Sequence, residues 1–197
     1  MEYVAACLIG YLLGSVPVAP LVARRYGVDL RRTSDGNPGA WNALEQLGPR
    51  RAWPAFVGDG AKGSLAAAAG LAIGGIWVGY AAAAAAMLGH ALPLFARFRG
   101  GKSVMTFVGA ALVLAPLAAA ICAVGCVLVT LVTRSFALGA RVGIFCFPVV
   151  QLATDPVERV AATGCLMTMI GLLFAVRRRS VPATSGPGAP PTRSTVP

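Results

Sequence analysis

The run from Gly89 to Lys102, Gly-His-Ala-Leu-Pro-Leu-Phe-Ala-Arg-Phe-Arg-Gly-Gly-Lys, leads an apolar stretch straight into a cationic glycine pair. Gly100 and Gly101 are expected to expose backbone N–H groups and to adopt positive φ, and Lys102 adds a mobile ammonium. A helix starting near Ser103 would aim the positive end of its dipole at the same place. This is chemistry for holding a phosphate at a membrane surface. The ligand it suits is both anionic and greasy.

Two other groups of residues could share that chemistry. The loop Asp35-Gly36-Asn37-Pro38-Gly39-Ala40-Trp41-Asn42 favours a tight, irregular backbone. Gly36, Asn37, Gly39 and Asn42 could wrap a phosphate or a polyol, although an ordinary solvent loop has the same composition. Asp59 and Lys62 are three apart in an apolar stretch, so they share a helix face and can pair. Ionisable groups inside a span usually face the bundle interior or a water-filled cavity; the alternative is a lysine snorkelling from a helix end. His90 is the only histidine, and a hydrogen-bonded packing role is commoner for such a residue than that of a base. No HExxH, Gly-x-Ser-x-Gly or Walker sequence occurs. Any chemistry therefore rests on positioning and charge stabilisation rather than a covalent nucleophile. The five cysteines (Cys7, Cys122, Cys126, Cys146, Cys165) all fall in apolar stretches, which supports neither a disulfide framework nor a metal site. No metal and no cofactor is expected.

These residues must be held by helices in a bilayer. Of 197 residues 57% are apolar and 12% charged, and the mean hydropathy is +0.73. A soluble domain carries about twice that charged fraction. Apolar stretches fall at 3–23, 53–75, 77–96, 103–115, 116–132, 136–153 and 157–176, where a bilayer needs roughly 20 residues per helix. The fourth and fifth are separated only by Ala115-Pro116 and read as two short helices or one long kinked one. The net charge of +10 comes from cations between the apolar stretches, so the positive-inside rule explains it and nucleic acid is not an expected partner. Arg24, Arg25, Arg31, Arg32, Arg50, Arg51, Arg97, Arg99, Lys102 and the closing Arg177-Arg178-Arg179 share one side if there are seven helices. The expected architecture is therefore all-α: a polytopic bundle of seven transmembrane helices, N-terminus outside and C-terminus cytoplasmic. Residues 1–179 make one membrane domain with a long cytoplasmic loop at 24–52. Residues 180–197, with five prolines, are expected to be a disordered cytoplasmic tail.

Gly14-Ser15-Val16-Pro17, the loop from Asp35 to Asn42 and Leu47-Gly48 together resemble the first motif of the PlsY-type acyl-phosphate:glycerol-3-phosphate acyltransferases. Asp59-Gly60-Ala61-Lys62-Gly63 is similar to that family's Asp-x-x-Lys-Gly. Gly89-His90-Ala91-Leu92-Pro93-Leu94-Phe95, followed by Phe98-Arg99-Gly100-Gly101-Lys102, is similar to its Gly-His-x-Phe-Pro-x-Phe and Phe-Lys-Gly-Gly-Lys-Gly. The resemblance implies a seven-helix enzyme of the bacterial inner membrane. It implies transfer of a fatty acyl group from acyl phosphate to the 1-hydroxyl of glycerol 3-phosphate without a covalent acyl-enzyme. The product is lysophosphatidic acid, the first step of phospholipid synthesis. Carried over, Gly100, Gly101 and Lys102 hold a phosphate, and Gly36, Asn37, Gly39 and Asn42 shape the polar pocket. Lys62 adds charge, Asp59 orients it, and His90 is structural.

The chain departs from the pattern at Asp35 (family serine, with Ser34 one position earlier), Trp41 (threonine), Glu45 (arginine) and Ser103 (glycine). A C-terminal histidine–asparagine motif has no counterpart. Two carboxylates in place of a hydroxyl and a cation would repel a phosphate dianion by about a kcal/mol or more each. The alternative reading is thus a catalytically impaired paralogue acting as a lipid-binding or regulatory membrane subunit, its protein partner unidentified. A small transporter is disfavoured because the charges cluster at one face and form no polar file across the bundle.

Overall fold

The structure is a computed structural model that describes residues 1–178; the expected tail at 180–197 and Arg179 lie outside the described residues. All regular elements among those residues are helical. They are α1 (Glu2–Gly14), α2 (Val18–Arg24), α3 (Ala40–Leu47), α4 (Pro49–Gly74), α5 (Ile76–Ala91), α6 (Val104–Leu114), α7 (Pro116–Thr133), α8 (Phe136–Leu152) and α9 (Val157–Arg178), with short 3₁₀ turns at Leu30–Arg32 and Leu94–Ala96.

The structure changes two sequence expectations in detail and closes one open alternative. The first apolar stretch is interrupted at Ser15–Pro17, because Pro17 has no N–H to continue the ladder and ends α1 before α2 begins. The run 103–132 is two helices: Ala115 leaves helical geometry (φ −143°, ψ 65°) and Pro116 takes the first position of α7, where its missing donor costs nothing. The loop 24–52 is shorter than expected and structured. It holds α3, and α4 begins at Pro49, with Gly48 (φ +73°) serving as both the end of α3 and the cap of α4.

Small residues decide how the helices meet. α5 contains the alanine run 81–86, and Ala82, Ala83, Ala85 and Ala86 are buried. α1 runs beside α5 in the same direction, Gly10 against the Ala82 carbonyl and Gly14 against that of Ala86. α4 and α6 run side by side in the same direction, Gly63 against the Thr106 carbonyl and Gly109 against that of Gly60. Ser64 Oγ donates to Gly109 O across the same seam at 2.7 Å. A methyl at any of these glycines would overlap a backbone carbonyl. Such approach replaces the hydrophobic drive that lipid removes.

Beyond this tight half, a core of Tyr80, Met87, Phe107, Leu114, Phe147 and Leu166 joins α5 and α6 to α8 and α9. A separate cluster of Leu30, Ala40, Ala43, Ala52 and Ala55 anchors the 24–48 loop on α2 and α4. Large apolar side chains are exposed along α7 (Leu117, Ile121, Val124, Leu128, Leu131), which is how a lipid-facing surface differs from a soluble one. By length and composition four segments can cross a membrane: Glu2–Arg24, Ile76–Ala96, Pro116–Thr133 and Val157–Val176. α6 and α8 are apolar but shorter, and α4 is long but carries Asp59 and Lys62.

The glycine contacts give a prediction with opposite signs. By helix propensity alone, glycine to alanine inside a helix stabilises by up to about 1 kcal/mol. Gly164→Ala, in open space on α9, should be neutral or follow that gain, whereas Gly63→Ala should destabilise by about 1–3 kcal/mol through overpacking. Thermal unfolding of both variants in detergent micelles checks this; equal shifts would mean the α4–α6 seam is loose.

Candidate active site

The site begins with a charged pair inside α4. Asp59 and Lys62 are buried, and Lys62 Nζ lies 2.9 Å from Asp59 Oδ1. The same ammonium donates to Val16 O at 3.1 Å, in the break between α1 and α2. The interruption of the first apolar stretch therefore supplies a carbonyl acceptor to the buried lysine. His90 Nδ1, at the end of α5, is 3.7 Å from Asp59 Oδ1. Breaking such a buried pair by removing one partner leaves an uncompensated charge and costs about 3–5 kcal/mol. A narrow cleft above the pair is lined by Asp59, Lys62, His90, Gly100 and Gly101 with Arg99. Five of the residues singled out from sequence thus converge there. Gly36, Asn37, Gly39, Asn42 and Lys102 do not line it.

Gly100 and Gly101 have a different role from the one expected. Neither has positive φ, and their N–H groups donate to Ala91 O (3.2 Å) and His90 O (3.0 Å). They are glycines because the loop folds back onto the end of α5: a Cβ at Gly100 would strike the His90 carbonyl, and one at Gly101 the His90 ring. The positive-φ positions are Arg97, Phe98 and Ser103 instead. The helix expected after Lys102 does start there, with Ser103 as the cap of α6.

The 24–48 loop is held to this turn by Arg31, whose guanidinium donates to Ala96 O and Arg99 O, each at 3.2 Å. Asn42 is fully buried within the loop, its amide donating to Leu30 O (2.8 Å), Thr33 O (3.1 Å) and Asn37 O (3.0 Å). It shapes the loop from inside. Gly39 caps α3, and Gly36 (φ +69°) closes a turn by donating to Thr33 O at 2.9 Å. That turn delivers Asp35, whose Oδ1 accepts from Asn37 N (3.1 Å) while Oδ2 meets Lys102 Nζ at 2.6 Å. Lys102 Nζ also lies 4.2 Å from the centre of the Phe174 ring on α9, within cation–π range. Partial burial pushes the Asp35 carboxyl up, but the Lys102 ammonium and the Asn37 amide outweigh it and hold the group below the usual carboxylate range.

The glycerol-3-phosphate acyltransferase family profile matches residues 4–182. The chain belongs to the glycerol-3-phosphate acyltransferase family. It is 42% identical over 139 residues to the glycerol-3-phosphate acyltransferase of Symbiobacterium thermophilum, covering 71% of this chain and 70% of that one. With that of Clostridioides difficile (strain 630) it shares 36% over 158 residues, 77% and 78% of the two chains. The crystal structure of PlsY (YgiH), an integral membrane glycerol 3-phosphate acyltransferase, in its glycerol 3-phosphate form superposes with a TM-score of 0.76 at 29% identity, covering 91% of this chain and 89% of that one. The lysophosphatidic acid form gives 0.76 at 26% identity, covering 91% of each chain.

Ser34, Trp41 and Glu45 form a connected set. The Glu45 carboxylate accepts from Ser34 Oγ and from Trp41 Nε1, both at 2.8 Å. Trp41 stacks on Phe136 at the start of α8 (centroids 5.7 Å apart, planes at 10°). Ser103 lies at φ +63°, a conformation that costs a side-chain residue energy. Its buried hydroxyl donates to Met87 O at 2.6 Å in compensation. Sequence reasoning missed Arg31 as the tie between the two loops and Phe174 as a neighbour of Lys102. Only a cation beside the motif and an aromatic near the end of the last span hinted at them.

Because the folded pKa of Asp35 lies below its unfolded value, the pair stabilises the loop above the usual carboxylate pKa of 3.8. That contribution is lost as pH falls through the folded value. Lys102→Met removes the two largest lowering influences besides the Asn37 amide, so the Asp35 midpoint should rise. Carboxyl-carbon NMR titration in micelles reads it. An unmoved midpoint would assign the depression to the turn rather than to the lysine.

Proposed function

We propose that this chain transfers a fatty acyl group from acyl phosphate to the 1-hydroxyl of glycerol 3-phosphate, releasing lysophosphatidic acid and phosphate in phospholipid synthesis. The carrying observation is the convergence of Asp59, Lys62, His90, Gly100 and Gly101 with Arg99 on one cleft. That the superposable PlsY structures are a glycerol 3-phosphate form and a lysophosphatidic acid form supports the same reading. Lys62, Arg99 and Lys102 supply the positive charge that a phosphate needs as it binds and as it leaves. The hydroxyl oxygen attacks the acyl carbonyl carbon directly, the carbon–oxygen bond to phosphate breaks, and the departing phosphate takes up the hydroxyl proton. The acyl chain then lies between helices, with membrane lipid as its surroundings.

The proposed setting is the bacterial cytoplasmic membrane, crossed seven times by α1–α2, α4, α5, α6, α7, α8 and α9, N-terminus outside and C-terminus inside. Charge supports it: Arg24, Arg25, Arg31, Arg32, Arg50, Arg51, Arg97, Arg99 and Lys102 sit in or beside the two loops of the site, whereas the Gly75 turn is uncharged and the 153–156 turn is flanked by Asp155, Glu158 and Arg159. A second reading, a catalytically impaired paralogue that binds lipid or regulates a partner, is favoured by one observation. Asp35 occupies Lys102.

Purified protein in lipid, given acyl phosphate and labelled glycerol 3-phosphate, should form lysophosphatidate, with Lys102→Ala lowering the rate on the order of a hundredfold. An acyl thioester offered in place of acyl phosphate should give no product. No product from acyl phosphate, beside an active family member as control, would establish the second reading. For the topology, single cysteines at Glu158 and Arg51 should respectively react and fail to react with an impermeant maleimide on intact cells; the reverse pattern would invert the orientation.

A further inference from the structure

Lys102 is a lysine whose charge is already answered. Its side chain is 13% exposed and that of Asp35 is 48% exposed, so the carboxylate lies on the solvent side of the ammonium. Phe174 covers another approach. The Asp35 turn is pinned from beneath by the three carbonyls that Asn42 gathers and from the side by Arg31. Of the loop's other carboxylates, Asp29 accepts from Arg31 N and Glu45 is engaged by Ser34 and Trp41, which leaves Asp35 as the anion that faces the lysine.

We infer that Asp35 is an internal counter-ion seated where Lys102 would meet a phosphate, and that a phosphate-bearing substrate must displace it, so that Asp35 sets the affinity of the site for phosphate. The inference rests on the reading of Lys102 as a phosphate ligand. Displacement asks little of the fold. Asp35 Oδ1 can keep the Asn37 amide while a phosphate oxygen takes the place of Oδ2, and an ammonium with three donors can exchange one acceptor for another. Both anions cannot share the ammonium without repelling each other at short range. A resting site of this kind holds its lysine in place and keeps weaker anions off it. The cost is a higher phosphate concentration at half-saturation.

Asp35→Asn keeps an oxygen for the Asn37 amide and removes the charge. In the full chain in nanodiscs it should bind inorganic phosphate about tenfold more tightly than the unaltered protein, read by phosphorus NMR titration. Adding Lys102→Ala should abolish the gain. Asp35→Ser provides an independent variant should the first misfold. Unchanged or weaker phosphate binding in both folded variants would overturn the inference, as would failure of every form to bind phosphate. In turnover, the KM for glycerol 3-phosphate or for acyl phosphate should fall, and the substrate affected identifies whose phosphate meets Lys102. If neither KM moves while lysophosphatidate still forms through Lys102, the counter-ion idea fails and the acyltransferase reading stands. If phosphate binding tightens but no variant makes lysophosphatidate, the counter-ion stands and the acyltransferase reading fails.

Discussion

Close approach of backbones at glycine is the constraint on which the rest of this structure depends. Gly14 on Ala86, Gly63 on Thr106 and Gly109 on Gly60 bring α1, α4, α5 and α6 nearer than a methyl allows. Lipid tails are as apolar as leucine, so burial alone gives such helices no reason to associate, whereas close packing does. The approach also fixes the ends of those helices. The break after α1, the charged turn of α4 and the end of α5 reach the same level, and Val16 O, Lys62, Asp59 and His90 come within contact of one another. The site is a consequence of the packing.

The same constraint continues into the loop that carries the cationic motif. Gly100 and Gly101 lie on His90 as the helix glycines lie on their neighbours, with their amides bonded to the end of α5. The turn therefore extends the α5 end rather than forming an open cradle of donors. Positive charge at the cleft comes from side chains, Lys62 and Arg99, and the backbone holds them in place.

The side chains around the site loop act as neighbours rather than singly. Ser34, Trp41 and Glu45 bond to one another, and Trp41 carries the group onto Phe136. The loop thereby holds a stack and two hydrogen bonds to one carboxylate. Ser103 accepts a left-handed backbone and offsets it through Met87 O. Arg31 holds the loop in position while Asp35 sets a carboxylate on Lys102.

The sequence by itself determined the all-α class, the apolar segments, the basic character of the loops beside the site and the pairing of Asp59 with Lys62. Each is a local property: hydropathy over a helix length, charge between spans, or spacing on one helix face. The breaks at Pro17 and Pro116 were likewise written in residue type, although their consequences were not. Tertiary structure alone decided that Gly100 and Gly101 serve contact with His90, that Asn42 is spent inside its loop, and that Asp35 from one loop and Phe174 from the last helix meet at Lys102. Those partners are between 5 and 72 positions apart in the chain. No periodicity links them, because what brings them together is the depth to which neighbouring helices sink into one another.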